Sequence, residues 1–356
     1  MSASMDSTVE VREGEELNAD ALEPYLRDAL GIHDGAFEIR QFPGGHSNLT
    51  YLVRMGRREW VLRRPPYGSK VKSAHDMGRE YTILSHIHDV YEPAPEPFLY
   101  CEDESVLGAK FYVMERIEGI ILRQEAPEGF HPDEEMVRRT CESLAENLAR
   151  LHAVDWRAAG LESLQRKEGS FIQRQVEGWH KRYHGSQTDD IPLVDEVYRW
   201  CHDHMPEDVG AVIIHNDYKF DNIILDADDV SRVVGVLDWE MSTIGDPLFD
   251  LGVALGYWVN PDEPEGITTS RSFFTRLPGA ITRERFAEVY GERSGLDVSN
   301  IHFYYVFALI KLAVVLQQIY YRYHEGLTDD ERFAPMIHAV RLLAERAGEY
   351  VDKGRM

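Results

Sequence analysis

The chain has little lysine. Only 8 of its 356 residues are Lys, against 30 Arg and 62 Asp plus Glu, and the formal net charge is −24. Such a polyanion repels phosphate backbones and anionic bilayers, which excludes bulk-charge binding to nucleic acid or to a membrane surface. High-salt cytoplasm favours a surface of this kind, and an Arg-rich coding bias accounts for the lysine deficit by itself. Cysteine is scarce as well. Cys101, Cys141 and Cys201 are odd in number and widely spaced, so they form neither a disulfide framework nor a zinc pattern and point to buried thiols in a reducing, cytoplasmic setting. Long apolar runs are missing. The most apolar stretch, Val306 to Ile319, is broken by Lys311 and Gln317 and falls short of the roughly 20 residues of a membrane span, so a buried core helix is expected there. The opening MSASMDSTVEVREGEEL carries acids where an export leader needs bases, and no apolar stretch follows.

What is present is a large hydrophobic fraction, 43%, enough for one big domain or two lobes with cores of their own. Residues 1–18 are acidic and aperiodic and read as a disordered tail. A helix is expected over Ala19 to Leu30. Short alternating or β-branched runs follow at Phe37 to Phe42, Leu49 to Met55, Trp60 to Arg63 and Lys110 to Met114, with a helix from His75 to His88 among them. That gives a small, mostly β lobe over 19–116. The remainder, 117–356, reads as helical: Leu144, Leu148 and Leu151 share one face of a helix over Asp133 to His152, and helices close the chain at Ile301 to Tyr323 and Asp330 to Tyr350. The expected class is α+β.

One β island interrupts the helical part: AVIIHNDYKFDNIILDADDVSRVVGVLDWE, residues 211–240. A strand ends at His215, a polar loop follows, and two strands, Asn222 to Asp226 and Val233 to Asp238, are joined by an Asp-rich turn. In an antiparallel hairpin Asn222 and Asp238 meet at the same end, into which the loop bearing Asp217 leads. Two carboxylates and an amide oxygen suit a hard cation, Mg²⁺, and Asp217 is placed to accept a proton from an incoming hydroxyl. The spacing, His-x-Asp-x-x-x-x-Asn and then a strand-borne Asp, is that of kinase phosphoryl transfer.

On these residues the sequence resembles the aminoglycoside phosphotransferase (choline kinase-like) family of small-molecule kinases, over nearly the whole chain after the tail. The resemblance implies a protein kinase-like, two-lobed fold that uses ATP (or GTP) and Mg²⁺. It implies that Asp217 is the catalytic base, that Asn222 and Asp238 hold Mg²⁺, that His215 braces the loop and that Lys219 lies near the γ-phosphate. Asp250, in GDPLFDLG, resembles the buried carboxylate that hydrogen-bonds the loop backbone, whereas Asp246 reads as the cap of a helix starting near Pro247. In the small lobe Gly44, Gly45 and Ser47 form a turn whose N–H groups suit phosphate oxygens, although a Gly-Gly turn is also an ordinary hairpin. Arg63 in WVLRR and Glu80 in REYTIL match the phosphate-positioning pair, with Arg in place of the commoner Lys; Arg64 is the competing register. In FYVMERIEG, backbone groups from Glu115 to Ile117 match the interlobe hinge that faces the adenine edge.

Seven residues separate Asp238 from Asp246, too few for the activation segment of a regulated protein kinase. Two cation-rich, aromatic-bearing segments point to an anionic, partly apolar small-molecule acceptor. One, SFIQRQVEGWHKRYH, carries Arg174, Trp179, Lys181 and Arg182, and the other carries Arg271, Arg276 and Arg283 beside Phe273 and Phe274. The competing reading pairs these cations with nearby carboxylates. Arg174, Gln175 and Trp179 resemble the branch associated with acyl-CoA dehydrogenases, which implies a hydroxyacyl thioester or a related metabolite. The rival functions are an antibiotic kinase for cationic aminoglycosides and a nucleotide-binding pseudokinase scaffold.

Overall fold

The computed structural model describes residues 8–43, 48–67, 76–123, 129–165, 169–260, 263 and 273–356. Helix α1 (Ala19–Leu30) starts where the Asn18 side chain accepts the Ala21 amide and stops at Gly31, which takes the left-handed conformation at φ 65°. Five strands follow, β1 (Phe37–Gln41), β2 (Leu49–Met55), β3 (Arg58–Arg64), β4 (Pro97–Cys101) and β5 (Phe111–Glu115), with α2 (Met77–Ile87) after β3 and the short α3 (Glu104–Leu107) after β4. They pair antiparallel in the order β1-β2-β3-β5-β4.

Alternation along these strands decides which core each side chain joins. Tyr51, Val53, Trp60, Leu62, Phe111 and Val113 pack with Leu22 and Leu26 of α1. The intervening Val61, Tyr112 and Met114 join Ile83, Leu84 and Ile87 of α2 in the large core that continues through the helical part. The central strand β3 is buried from Trp60 to Arg64 because both faces of the sheet are covered.

The helical part contains α4 (Glu134–His152), α5 (Phe171–Ser186), α6 (Pro192–Asp203), β6 (Val212–Ile214), β7 (Ile223–Leu225), β8 (Val233–Val236), β9 (Thr243–Gly245), α7 (Pro247–Tyr257), α8 (Arg283–Ser294), α9 (Ile301–His324) and α10 (Met336–Lys353). By length and composition α9 is apolar enough to cross a bilayer, yet 72% of its apolar window is buried inside the protein, as expected of a core helix. Helix α7 lies so close to α9 that a Cβ on Gly252 would stand 2.7 Å from the Tyr304 carbonyl oxygen, a distance only glycine relieves. This approach seats Asp250 under the loop that follows β6. Gly119 plays the same part where the chain leaving the sheet meets β7: a Cβ there would overlap the Leu225 carbonyl, and Ile120 and Leu225 exchange two backbone hydrogen bonds of 2.8 Å.

Three features differ from expectation. Residues 8–18 do not trail away. Val9 exchanges hydrogen bonds with Gln41 at 2.8 and 3.0 Å, the Tyr51 hydroxyl donates to the Glu15 carbonyl at 2.7 Å, and Leu17 is buried, because the free edge of β1 offers backbone groups to be satisfied. Strand β4 pairs with β5 through a bulge between Pro97 and Leu99. Strand β9 pairs with β6, so the island is two short sheets, not one hairpin with a leading strand.

Candidate active site

The loop between β6 and β7 is tied down from below. Asp250 accepts the backbone amides of His215 at 2.6 Å and Asn216 at 2.7 Å, and the His152 ring at 3.2 Å. Burial pushes the Asp250 carboxyl up, but the bond from His152 and the loop amide outweigh it and hold the group below the usual carboxylate range. Asp246 instead caps α7, accepting from Leu248 and Phe249. His215 touches no open space: its Nε2 donates to the Leu237 carbonyl at 2.9 Å and its Nδ1 accepts the Asp217 amide at 3.3 Å. It therefore positions the loop and joins it to the end of β8.

Asp217 stands at the centre. Its Oδ1 accepts from Lys219 at 2.9 Å and the Tyr257 hydroxyl at 2.7 Å, and its Oδ2 accepts from Lys219 at 2.8 Å and the Asn222 amide at 2.9 Å. Four bonds fill the roughly four lone-pair positions of a carboxylate. The Asn222 NH₂ faces Asp217, and at the Asp238 end of the hairpin the Leu237 amide donates to the Asn222 backbone carbonyl at 2.8 Å. Asn216 (φ 67°) and Asp238 (φ 69°) are the non-glycine residues at positive φ among the described residues. Backbone strain is concentrated at this site.

The small lobe clasps residues 238–242. Arg63 pairs with Glu80 in a buried ion pair and donates to Asp238 Oδ1 at 2.9 Å, while Glu80 also accepts the Trp239 amide at 3.1 Å. Arg79 donates to the Ser242 carbonyl, and Asn48 to Glu240 at 2.8 Å. Burial works against the Arg63 charge, but Glu80, Tyr112 and Asp238 raise its pKa well above the ordinary value. Burial likewise pushes Asp238 up, and Arg63 reverses this and lowers it. Glu240 is pushed up to about 8 by burial and then by the Asp238 charge, with Arg63 opposing. The competitor Arg64 points elsewhere, its guanidinium 3.7 Å over the Tyr67 ring. The Asn222 amide oxygen and the ionised Asp238 are hard oxygen donors that fit Mg²⁺, whereas Glu240, raised to about 8 and bonded to Asn48, does not join them.

The hinge differs in part. The Glu115 amide is occupied by the Glu96 carbonyl at 2.8 Å, which removes it as a donor to a base, while Ile117 follows half-buried. Gly44, Gly45 and Ser47, and Arg271, lie outside the described residues.

Residues 38–289 match the phosphotransferase enzyme family, APH. The chain belongs to this family. It is 33% identical over 354 residues to mouse acyl-CoA dehydrogenase family member 10, covering 98% of this chain and 32% of that protein. It is 34% identical to chicken acyl-CoA dehydrogenase family member 11, covering 96% and 44%. The chain thus spans less than half of the curated relatives it matches, 32% and 44% of these two. Among solved structures, a provisionally named aminoglycoside phosphotransferase from Ralstonia eutropha superposes with a TM-score of 0.78 at 30% identity, covering 95% of this chain and 99% of that one. A choline kinase from Cryptosporidium parvum (TM-score 0.64, 12% identity, 95% and 97% covered) has the same fold. So has an aminoglycoside phosphotransferase mutant solved with ADP and hygromycin B (0.59, 16%, 92% and 99%). The α+β kinase-like architecture expected from sequence is the one these proteins share.

The cations proposed for the acceptor separate in the fold. Trp179 is buried on α5, its indole N–H donating to Gln175 at 3.1 Å. Lys181 lies two residues on, about 200° around the helix, and faces solvent. Arg174 donates to the Gly169 carbonyl at 2.6 Å, and Arg276 to the Glu263 carbonyl at 3.3 Å. Arg283 is structural, held by Glu263 at 2.5 and 3.0 Å. The cations beside Trp179 are Arg182 of the same segment, 4.6 Å from its ring, and Lys311 of α9, 5.6 Å away. Helical spacing of three residues flags Arg182 beside Trp179. Lys311 and Tyr257 carry no local signal beyond a charge inside an apolar run and a polar tip at a helix end.

Lys311 is buried, 3.3 Å from the Asn216 carbonyl. Burial pushes its ammonium from the ordinary 10.5 down to about 8, against the pull of Asp217 and Asp250. The unfolded chain keeps this proton up to its higher pKa, so between about pH 8 and 10.5 the unfolded state binds more protons and this contribution to stability rises with pH. Lys311→Met is therefore expected to be more stable than wild type at pH 7, by about 3 kcal/mol at most, with the gap closing toward pH 10. Urea unfolding of both proteins at the two pH values checks this, and a gap that stays constant would overturn the burial argument.

Proposed function

We propose that this phosphotransferase moves the γ-phosphoryl group of ATP (or GTP) to a hydroxyl of a small, anionic, partly apolar acceptor. The observation that carries this reading is the convergence of Asp217, Lys219, Asn222 and Asp238 at one end of the β7–β8 hairpin, with Lys311 behind the same loop. Asn222 and Asp238 are the residues that would hold Mg²⁺, which when bound neutralises charge on the phosphates. Arg63, fixed by Glu80, keeps Asp238 ionised and oriented.

Asp217 has no lone pair to spare while Lys219 bridges both its oxygens. Lys219 is therefore the group that shifts: drawn toward phosphate, it frees one lone pair on each oxygen, either of which can serve as the freed oxygen, while Tyr257 and Asn222 keep the carboxylate aimed. The acceptor hydroxyl then donates to the freed oxygen and passes its proton there as the phosphoryl group leaves the nucleotide. Base and phosphate contact are thereby coupled, because Lys219 serves one or the other.

The acceptor's charge is supported by Arg182 and Lys311 on either side of Trp179, a setting that repels a polyamine sugar and attracts a carboxylate or phosphate. The likeness to acyl-CoA dehydrogenase family members supports a hydroxyacyl thioester as the first candidate. The test is an ATP-dependent mass-shift screen over hydroxyacyl-CoA esters, choline and aminoglycosides. Phosphorylation of an acidic hydroxylated compound is expected, with Arg182→Gln raising its KM about tenfold and leaving the nucleotide KM unchanged. Efficient turnover of an aminoglycoside, indifferent to Arg182→Gln, would overturn the acceptor assignment.

A further inference from the structure

On the outer side of α5, three donor atoms from two helices converge on one point. His180 and His184 stand one turn apart on α5, and Asp195 belongs to the first turn of α6. His180 Nε2 is 2.7 Å and His184 Nε2 3.0 Å from the same oxygen, Asp195 Oδ1, and the two imidazole nitrogens are 3.1 Å apart. Neighbouring ligands around a six-coordinate ion with bonds of about 2.1 Å stand about 3 Å apart, so this triangle has the size of one face of such a shell.

The surrounding bonds fix the ring of His184 for this use. The Gln187 NH₂ donates to the Asp189 carbonyl at 3.2 Å, which turns the Gln187 amide oxygen toward His184 Nδ1, also at 3.2 Å. With Nδ1 turned to Gln187, the Nε2 of His184 is the ring atom that faces Asp195 Oδ1, where a proton or a metal ion can sit between them. His180 is held from the other side, its ring stacked 4.6 Å from that of Tyr198 at an interplanar angle of 26°. The Gln187 oxygen behind His184 is the support that metal-binding histidines use, and the Tyr198 ring fixes the plane of His180.

We infer that His180, His184 and Asp195 bind a first-row divalent transition ion, with Zn²⁺ the probe of choice. Two imidazoles and one carboxylate exclude Mg²⁺ and Ca²⁺, which take oxygen, and lack the thiolates of a closed Zn site, so the remaining positions go to water. The ion staples α6 to α5, the helix that carries Trp179 and Arg182. The inference stands apart from the phosphotransfer reading, since none of its ligands belongs to that site.

The test uses the full chain with any affinity tag removed, dialysed against Zn²⁺ and assayed for bound metal and for melting temperature. Wild type is expected to hold one Zn²⁺ at this site and to melt about 3 °C higher at a hundredfold excess over Kd. His184→Ala and Asp195→Asn are expected to lose that ion and that shift, and Gln187→Ala to bind about tenfold more weakly. His202→Ala, altering an exposed histidine of α6, is expected to match wild type. The altered side chains are partly exposed, so melting of the metal-free variants near wild type separates ligand loss from misfolding. Wild type without a thermal response to Zn²⁺, or a response that survives both His184→Ala and Asp195→Asn, would overturn the site.

Discussion

Asp217→Asn is expected to cut turnover by about 10²- to 10⁴-fold while nucleotide affinity stays near that of wild type. The amide cannot take the acceptor's proton. It also replaces one acceptor oxygen with a donor, opposing either Lys219 together with Tyr257 or Lys219 together with Asn222. Asn222 keeps its place through the Leu237 amide, and Arg63, Glu80 and Asp238 do not depend on Asp217, so the nucleotide side is left standing. Single-turnover rates and nucleotide titrations on the same preparations check the split. Retained turnover, or turnover and nucleotide binding lost together, would remove Asp217 from the role of base.

The opposite split is expected for Asp238→Ala: Mg²⁺-dependent nucleotide binding disappears, and turnover with it. Asp238 is the ionised oxygen donor of the set, kept so by Arg63 at 2.9 Å. The change also leaves half of a buried guanidinium without its partner, at a cost on the order of 1–3 kcal/mol, while Glu80 still neutralises the other half. A nucleotide titration with and without Mg²⁺, read beside the melting temperature, separates ligand loss from unfolding. A folded variant that still binds nucleotide in a Mg²⁺-dependent way would move the ion elsewhere.

The chemistry of this site was legible because its parts are close in sequence. His215 to Asn222 form one loop, Asp238 ends the next strand, and alternation along β3 separates Arg63 from Arg64. The parts that were not legible depend on long-range approach. Tyr257 reaches Asp217 from the far end of α7, and Lys311 reaches the loop from α9 across 95 residues of chain. In the fold, β4 sits in a Pro-rich stretch that looks like a loop until β5 pairs with it, and β9 is three residues long and meaningful only beside β6. Counting bases along α5 ranks Lys181 with Arg182, and only the fold shows that Arg182 is the one lying over the Trp179 ring.

The sheet that gives one face to α1 and the other to the core of the helical part has a consequence for how this chain can be inherited. Val61, Tyr112 and Met114 pack in the same core as Leu144 and Ile223, and Gly119 admits no bulkier joint between them. A crossover that took the sheet without the helices would strip a buried face bare, so recombination that cuts near residue 117 yields two fragments with unfinished interiors. The lobes must travel together. In the longer acyl-CoA dehydrogenase family members nearly the whole of this chain, both parts together, is matched.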